Sequence, residues 1–326
     1  MRRRDFITLI GGAAAWPLAV HAQQSMPVIG VLGSGAPAPI FTAAIAEGLK
    51  ESDFVERQNV LVEYRWASGD YHRLSAMAAE LVDRRVSILL TFGTPAARAA
   101  QVASTKVAPP VPVVFSFGSD PVAEGLVASL NRPGGNMTGV TSIAGRLAPK
   151  RIELMRELLG PKAVFAALIN PDNPLGQAER HDVEKAASAL RQRLEIITAR
   201  NENEIDAAFA GLKARNIAGL IIAVDTFYFG QMRRMAALAT RHSMPAIGPL
   251  RDFTVAGGLM TFGASIRGVN RQAAAYVGRI LKGAKPADLP VLQPTKFEFI
   301  INVATAKALG IKVPPTLLAR ADEVIE

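Results

Sequence analysis

The chain of 326 residues contains no cysteine. Disulfides and thiolate metal ligands are therefore both excluded. Histidine is scarce, at four residues. Beyond the leader only His72, His181 and His242 remain, far apart on polar stretches of helical period and without H-E-x-x-H spacing. No metal site is expected. Aromatic residues make up 6% of the chain, and they do not interleave with its basic residues. The formal net charge of +9 falls to +7 once Arg2, Arg3, Arg4 and Asp5 are set aside. Basic residues this scattered describe a solvated surface rather than a nucleic-acid partner. No G-x-x-x-x-G-K-[ST] phosphate loop and no G-x-S-x-G nucleophile elbow occurs. Paired carboxylates at a recognisable spacing are missing too, so no catalytic residue is nominated and no enzyme is expected.

What is present starts at the first residue. "MRRRDFITLIGGAAAWPLAVHAQQ" joins a basic segment to an apolar run ending in Val20-His21-Ala22. That order is a secretory signal peptide over residues 1–22, cleaved after about Ala22, and places the mature chain in the periplasm. The run is shorter than the roughly 20 residues a membrane span needs. Gly11-Gly12 and Pro17 oppose a packed helix. Arg3-Arg4-Asp5-Phe6-Ile7 resembles the twin-arginine export signal.

Past Gln24, short apolar runs alternate with longer segments of helical period, the pattern of βα units. The runs are Val28–Leu32, Val60–Trp66, Ile88–Phe92 and Val113–Phe117, then Val164–Ile169, Leu194–Thr198, Leu220–Val224 and Ala246–Ile247. "ILLTF" and "LIIAV" are apolar throughout, as strands buried on both faces should be. "YFGQMRRMAALATRH" and "IRGVNRQAAAYVGRIL" read as amphipathic helices. Between the two series lies "NRPGGNMTGVTSIAG", a crossing segment rich in glycine and proline. A second crossing is expected over Gly248–Gly258. The fold class is α/β, with two doubly wound parallel-sheet lobes joined by a hinge of several crossovers. The first lobe is expected over 26–145 plus 253–283, the second over 146–252 plus 284–326.

Ligands of open α/β sheets bind beyond the carboxyl ends of the strands. The residues found there are the candidate contacts: Ser34, Gly93, Thr94, Pro95, Ser116, Asp120, Asn170, Asp225 and Tyr228. Thr94 and Asp120 also suit helix caps, each with a proline next in sequence. Asp225 ends an apolar strand with no evident cap spacing, so it is expected to meet the ligand. Facing the helix start at Thr94-Pro95, it would receive an ammonium or hydroxyl while the helix start receives an anion. Phe117 and Phe229 suit an apolar sub-pocket. Gly33-Ser34-Gly35-Ala36-Pro37-Ala38 fits a loose dinucleotide fingerprint, which keeps a Rossmann-like enzyme as an alternative. No acidic residue ends the second strand to complete it, since Glu63 stands near the middle of that run.

Five stretches carry a family resemblance: "TFGTPAARAA", "SDPVAEGLVASLNRPGGNMTGV", "NPDNP", "KPADLPVLQPTKFEFIIN" and "TAKALGIKVPPTLLARADEVIE". The chain resembles the ABC-transporter substrate-binding proteins, in the branch that includes tryptophan- and tyrosine-binding members. The resemblance implies the type I periplasmic-binding-protein fold, with the loops at Ser34, Thr94, Ser116, Asn170 and Asp225 facing the cleft. It also implies a small-molecule ligand, no cofactor, a monomer, and an inner-membrane permease served by a separate ATPase. A ligand-sensing module for a membrane receptor would use the same closed face and stays open as an alternative.

Overall fold

The runs that are apolar at every position form the centres of two sheets, because only strands covered on both faces tolerate such composition. The computed structural model describes residues 26–326, so the leader lies outside the described residues. The smaller sheet contains β1 (Val28–Gly33), β2 (Leu61–Trp66), β3 (Ile88–Phe92), β4 (Val113–Phe117) and β5 (Met137–Thr141), ordered β2-β1-β3-β4-β5. All of its pairings are parallel. The larger sheet contains β6 (Val164–Ile169), β7 (Arg193–Thr198), β8 (Gly219–Ile222), β9 (Ala246–Gly248), β10 (Met260–Ala264), β11 (Phe297–Asn302) and β12 (Glu323–Ile325). Its order is β12-β11-β10-β9-β8-β6-β7, parallel except between β10 and β11. The fold class read from the sequence is the one observed, with that antiparallel pair added.

β5 was hidden in a segment expected to be a crossing. Gly139, at its centre, dilutes the apolar pattern, yet a Cβ there would lie 2.1 Å from the Phe115 carbonyl oxygen. The glycine is what lets β5 approach β4. Past it the chain crosses through Ser142, Ile143 and the turn Ala144–Leu147 into the second lobe.

The expected crossing over Gly248–Gly258 and the lobe boundary at Phe253 are both corrected. That stretch holds a short helix, Arg251–Val255, and Phe253 is fully buried in the second lobe's core. A Cβ on Gly258 would lie 2.3 Å from the Phe253 ring, so these glycines seat an aromatic side chain instead of turning the chain between lobes. The return begins only after β10. Helix Ile266–Leu281 then packs on the first lobe against helix Pro39–Lys50, so closely that a Cβ on Gly48 would meet the Arg271 carbonyl oxygen at 2.1 Å. Arg267–Glu47 and Lys282–Asp53 ion pairs flank the contact. The expected end of this return at 283 is also too early. Leu292 still bridges Val140 of the smaller sheet, and the chain re-enters the larger sheet at Phe297. Three crossings thus join the lobes. Among the described residues no helix is long and apolar enough to cross a membrane.

Candidate functional site

The carboxyl ends of β1, β3 and β4 face those of β6 and β8 across the gap between the lobes. Gly93, which ends β3, has φ 94°, and a Cβ would lie 2.8 Å from Ser34 Oγ. Only glycine fits there. It occupies the cap position of helix Thr94–Ser104 and offers no capping side chain. Ser34, at the end of β1, supplies the missing acceptor: its Oγ accepts the Ala96 N–H at 3.0 Å. Thr94 is therefore the first helical residue rather than the cap, and its Oγ1 meets Ser119 Oγ at 2.7 Å. At the end of β4, Ser116 Oγ donates to Asn270 Oδ1 at 2.6 Å.

The second lobe answers with Asp225, just past β8. It caps the short helix Thr226–Gly230, with Oδ1 accepting the Tyr228 N–H at 3.0 Å. Its Oδ2 accepts from Asn173 Nδ2 at 2.7 Å, Tyr71 Oη at 2.8 Å and Asn170 Nδ2 at 3.3 Å. The Tyr71 bond crosses from lobe to lobe. Burial pushes the Asp225 carboxyl above its ordinary range, while these hydrogen bonds pull the other way. Tyr71 is also pushed up, first by burial and then by the Asp225 charge.

The lobes are in contact elsewhere too. A Cβ on Gly35 would lie 2.3 Å from the Thr226 carbonyl oxygen, and one on Gly69 2.9 Å from the Phe227 ring. The G-x-G loop after β1 is thus a landing place for the second lobe. Between these contacts lies a narrow, partly open cavity of about 30 Å³. Phe41, Phe92, Phe117 and Val269 of the first lobe and Leu175, Val224 and Phe229 of the second make its apolar wall. Trp66 stacks behind Phe92 at a centroid distance of 5.9 Å. Asp225 is the single charged side chain among the lining residues.

Of the nine residues nominated from the sequence, Gly93, Thr94, Ser116 and Asp225 line the cavity. The other five do not. Ser34 braces the helix start from beneath, and Pro95 sits on the outer side of that helix. Asp120 accepts the Val122 N–H at 3.0 Å and pairs with Arg146 at 2.8 Å, outside the cavity. It closes a turn, not a regular helix, so its cap role is corrected accordingly. Asn170 orients Asp225 and accepts the Asp172 N–H at 3.1 Å. Tyr228 is fully buried in the second lobe's core, donating to the Ala199 carbonyl at 2.7 Å. Its ring follows the apolar stripe with Met232 and Met235 and so points away from the cleft.

Sequence reasoning missed Tyr71, Asn173 and Asn270. Asn173 had a readable signal, since it caps helix Pro174–Ala189 from the position before a proline. Asn270 had one as well, as an amide beside Val269 on the buried stripe of an amphipathic helix. Tyr71 lies in a polar turn and had none.

Beneath the cavity the second lobe holds a buried ion pair. Arg151 Nη1 lies 2.9 Å from Glu179 Oε1, with both side chains essentially inaccessible. Glu179 Oε2 accepts the Val224 N–H at 2.8 Å, and Arg151 Nε donates to the Phe262 carbonyl at 2.9 Å. The pair thus ties two helices to the strand end that presents Asp225. Burial pushes Glu179 up to about 7, against the pull of Arg151.

Two α/β lobes, three crossovers and a cavity walled by both define the class of two-lobed solute receptors. The chain belongs to the ABC transporter substrate binding protein family, whose model matches residues 39–325. A tyrosine-binding protein of Clostridioides difficile (strain R20291) is 24% identical over 266 residues, 82% of this chain and 75% of the relative. Among solved structures, a conserved domain protein from Vibrio cholerae superposes with a TM-score of 0.82 at 24% identity, covering 92% of this chain and 99% of that one. An ABC domain from Streptococcus pneumonia in complex with L-Trp gives 0.78 at 23% identity, covering 92% and 100%. The ligand-free, open structure of a substrate-binding protein with adhesive properties from Clostridium difficile gives 0.62 at 20% identity, covering 92% and 99%.

Proposed function

We propose that the mature chain is a periplasmic receptor that captures a small organic solute between its lobes and delivers it to an inner-membrane ABC permease energised by a separate ATPase. The observation that carries this reading is the narrow cavity with walls from both lobes. A ligand there contacts both halves only when they close, so it favours the closed state by its difference in affinity between the two. The Tyr71–Asp225 hydrogen bond and the Gly35–Thr226 contact belong to that closed state and would part on opening. Family membership supports the receptor role, and the leader over residues 1–22 supports export to the periplasm, where the chain, a monomer in this reading, meets its permease. The G-x-G loop, taken up by Thr226, leaves the dinucleotide alternative without its principal motif.

A thermal-shift screen of the mature chain against metabolites, followed by small-angle scattering with each hit, tests the reading. Ligand at about 100 times its dissociation constant adds roughly 2.7 kcal/mol of stability. The expected result is a raised melting temperature together with a smaller radius of gyration. A hit that leaves the radius unchanged counts against closure, and a silent screen counts against the receptor role.

A further inference from the structure

The polar groups that line the cavity turn acceptors toward it. Ser116 Oγ donates to Asn270 Oδ1 at 2.6 Å, and Ser142 Oγ donates to the Phe117 carbonyl at 3.2 Å. A hydroxyl has a single proton and two lone pairs, so toward a ligand both serines are acceptors. Asp225 adds a carboxylate. Its Oδ2 takes three donors, from Tyr71, Asn170 and Asn173, but its Oδ1 takes only the Tyr228 N–H. Each carboxylate oxygen has about two lone-pair sites, so Oδ1 can accept once more. The donor that is unpartnered, Asn270 Nδ2, is enclosed and has essentially no accessible surface.

The charge is as one-sided as the hydrogen bonding. Asp225 is the single charged residue among those lining the cavity, and its four partners are neutral. Glu179, equally buried in the same lobe, has a cation in Arg151 at 2.9 Å. An ionised carboxylate is costly to bury unless a cation or full hydrogen bonding compensates it. Burial accordingly pushes the Asp225 carboxyl up.

We infer that the cation completing this site is the ligand itself, a small alkylammonium of the methylamine or ethylamine class that carries no carboxylate. This class rests on the receptor reading above and narrows it. A primary ammonium brings three N–H donors to a wall of acceptors and neutralises its one carboxylate. The space sets the size. At about 30 Å³ the cavity has room on the order of two waters, enough for a cationic head with a short tail. Phe41, Phe92, Phe117 and Phe229 make up much of the wall. Aromatic faces carry the negative end of the ring quadrupole, so such a wall suits a cation better than an anion and also covers a short alkyl group. An amino acid of the kind the L-Trp complex contains brings a carboxylate as well. No lysine or arginine stands among the described lining residues to receive it, and an indole exceeds the space.

The test uses the mature chain and probes matched in skeleton: methylamine with glycine and acetate, ethylamine with alanine and propanoate, and 2-phenylethylamine as an oversized amine. Calorimetric titration at neutral pH is expected to show a short amine binding about ten-fold or more tighter than its matched amino acid and acid. The oversized amine has the same cationic head and should bind more weakly than the short one. Asp225→Asn keeps an acceptor for the Tyr228 N–H but removes the charge, so it should weaken the amine about ten-fold or more. An amino acid or acid that binds as tightly as its matched amine overturns the inference and leaves the receptor reading intact. Tighter binding of 2-phenylethylamine than of either short amine, or undiminished amine binding by Asp225→Asn, overturns it in the same way. Silence from every probe, while another metabolite binds and closes the lobes, also overturns this ligand class alone. Silence from the whole metabolite screen removes the receptor reading with it. The comparison among probes on the unaltered chain keeps the inference falsifiable even if the variant folds poorly.

Discussion

Glu179 and Asp225 are both buried carboxylates of the second lobe, and only Val224 separates their hydrogen-bonding networks along β8 and its extension. They solve burial differently. Glu179 has a cation, Arg151, and every partner named for it lies in the second lobe. Asp225 has four neutral donors, and one of them, Tyr71, belongs to the other lobe. The first network holds whether the lobes are open or closed. The second is complete only when they meet. A charge satisfied within one lobe makes a rigid platform, and a charge satisfied partly across a gap records closure.

That contrast breaks most forcefully at Glu179. Glu179→Ala strands the Arg151 guanidinium in the core and should cost about 3–5 kcal/mol, read as a lower denaturation midpoint. Ligand affinity of the fraction that folds should change far less.

A smaller effect is expected from pH. The folded-state pKa of Glu179 is raised to about 7 from 4.5, so the native chain binds the extra proton between those values. Stability linked to this group is present below pH 4.5 and is lost as pH rises through 7. Asp225 is raised as well and acts with the same sign. Urea midpoints measured from pH 5 to 8 should therefore decline with pH, and Glu179→Gln should flatten the decline. A midpoint that rises over this range would contradict the assignment.

Tyr71→Phe sharpens the other side of the comparison. It removes one donor from Asp225 in the closed state only. A hydrogen bond to a charged group contributes about 1.5–3 kcal/mol, so ligand affinity should fall at least ten-fold. Melting of the ligand-free protein should move little in comparison, and equal losses in both measurements would place Tyr71 among the structural residues. The smallest effect is expected from Arg146→Ala at the hinge surface. Its pair with Asp120 is largely exposed, so stability should stay within about 0.5 kcal/mol. Paired titrations of the variant and the parent chain would check that affinity is also preserved.

Much of this architecture was legible without coordinates. Eight runs became strands; those without charged residues lie at the sheet centres, because such a run has no face to offer water, while the half-buried β2 and β7, with Glu63, Arg65 and Glu195, lie at the edges. The hinge was legible as an idea and misplaced in detail. Glycines at 248 and 258 read as a crossing, yet they seat Phe253, while the actual crossing at Ser265 follows an ordinary strand. Glycine marks close approach as well as a turn, and composition does not separate the two.

The candidate site divides in the same way. Local pattern determined which loops end the strands, and hence that residues near Gly93, Thr94, Ser116 and Asp225 stand at the cleft. Tertiary structure alone decided what each side chain does there. Ser34 caps a helix 60 residues away in sequence, Tyr71 reaches Asp225 over 154 residues, and Asn270 returns to Ser116 over the same separation. Asp225 ends its strand as a candidate ligand carboxylate, and three of the four donors that hold it come from other segments of the chain. Periodicity records how a segment meets its neighbours along one element. A hydrogen-bond partner brought in by a distant crossover leaves no such record, and so the commitment of each polar atom is settled only when the lobes are assembled.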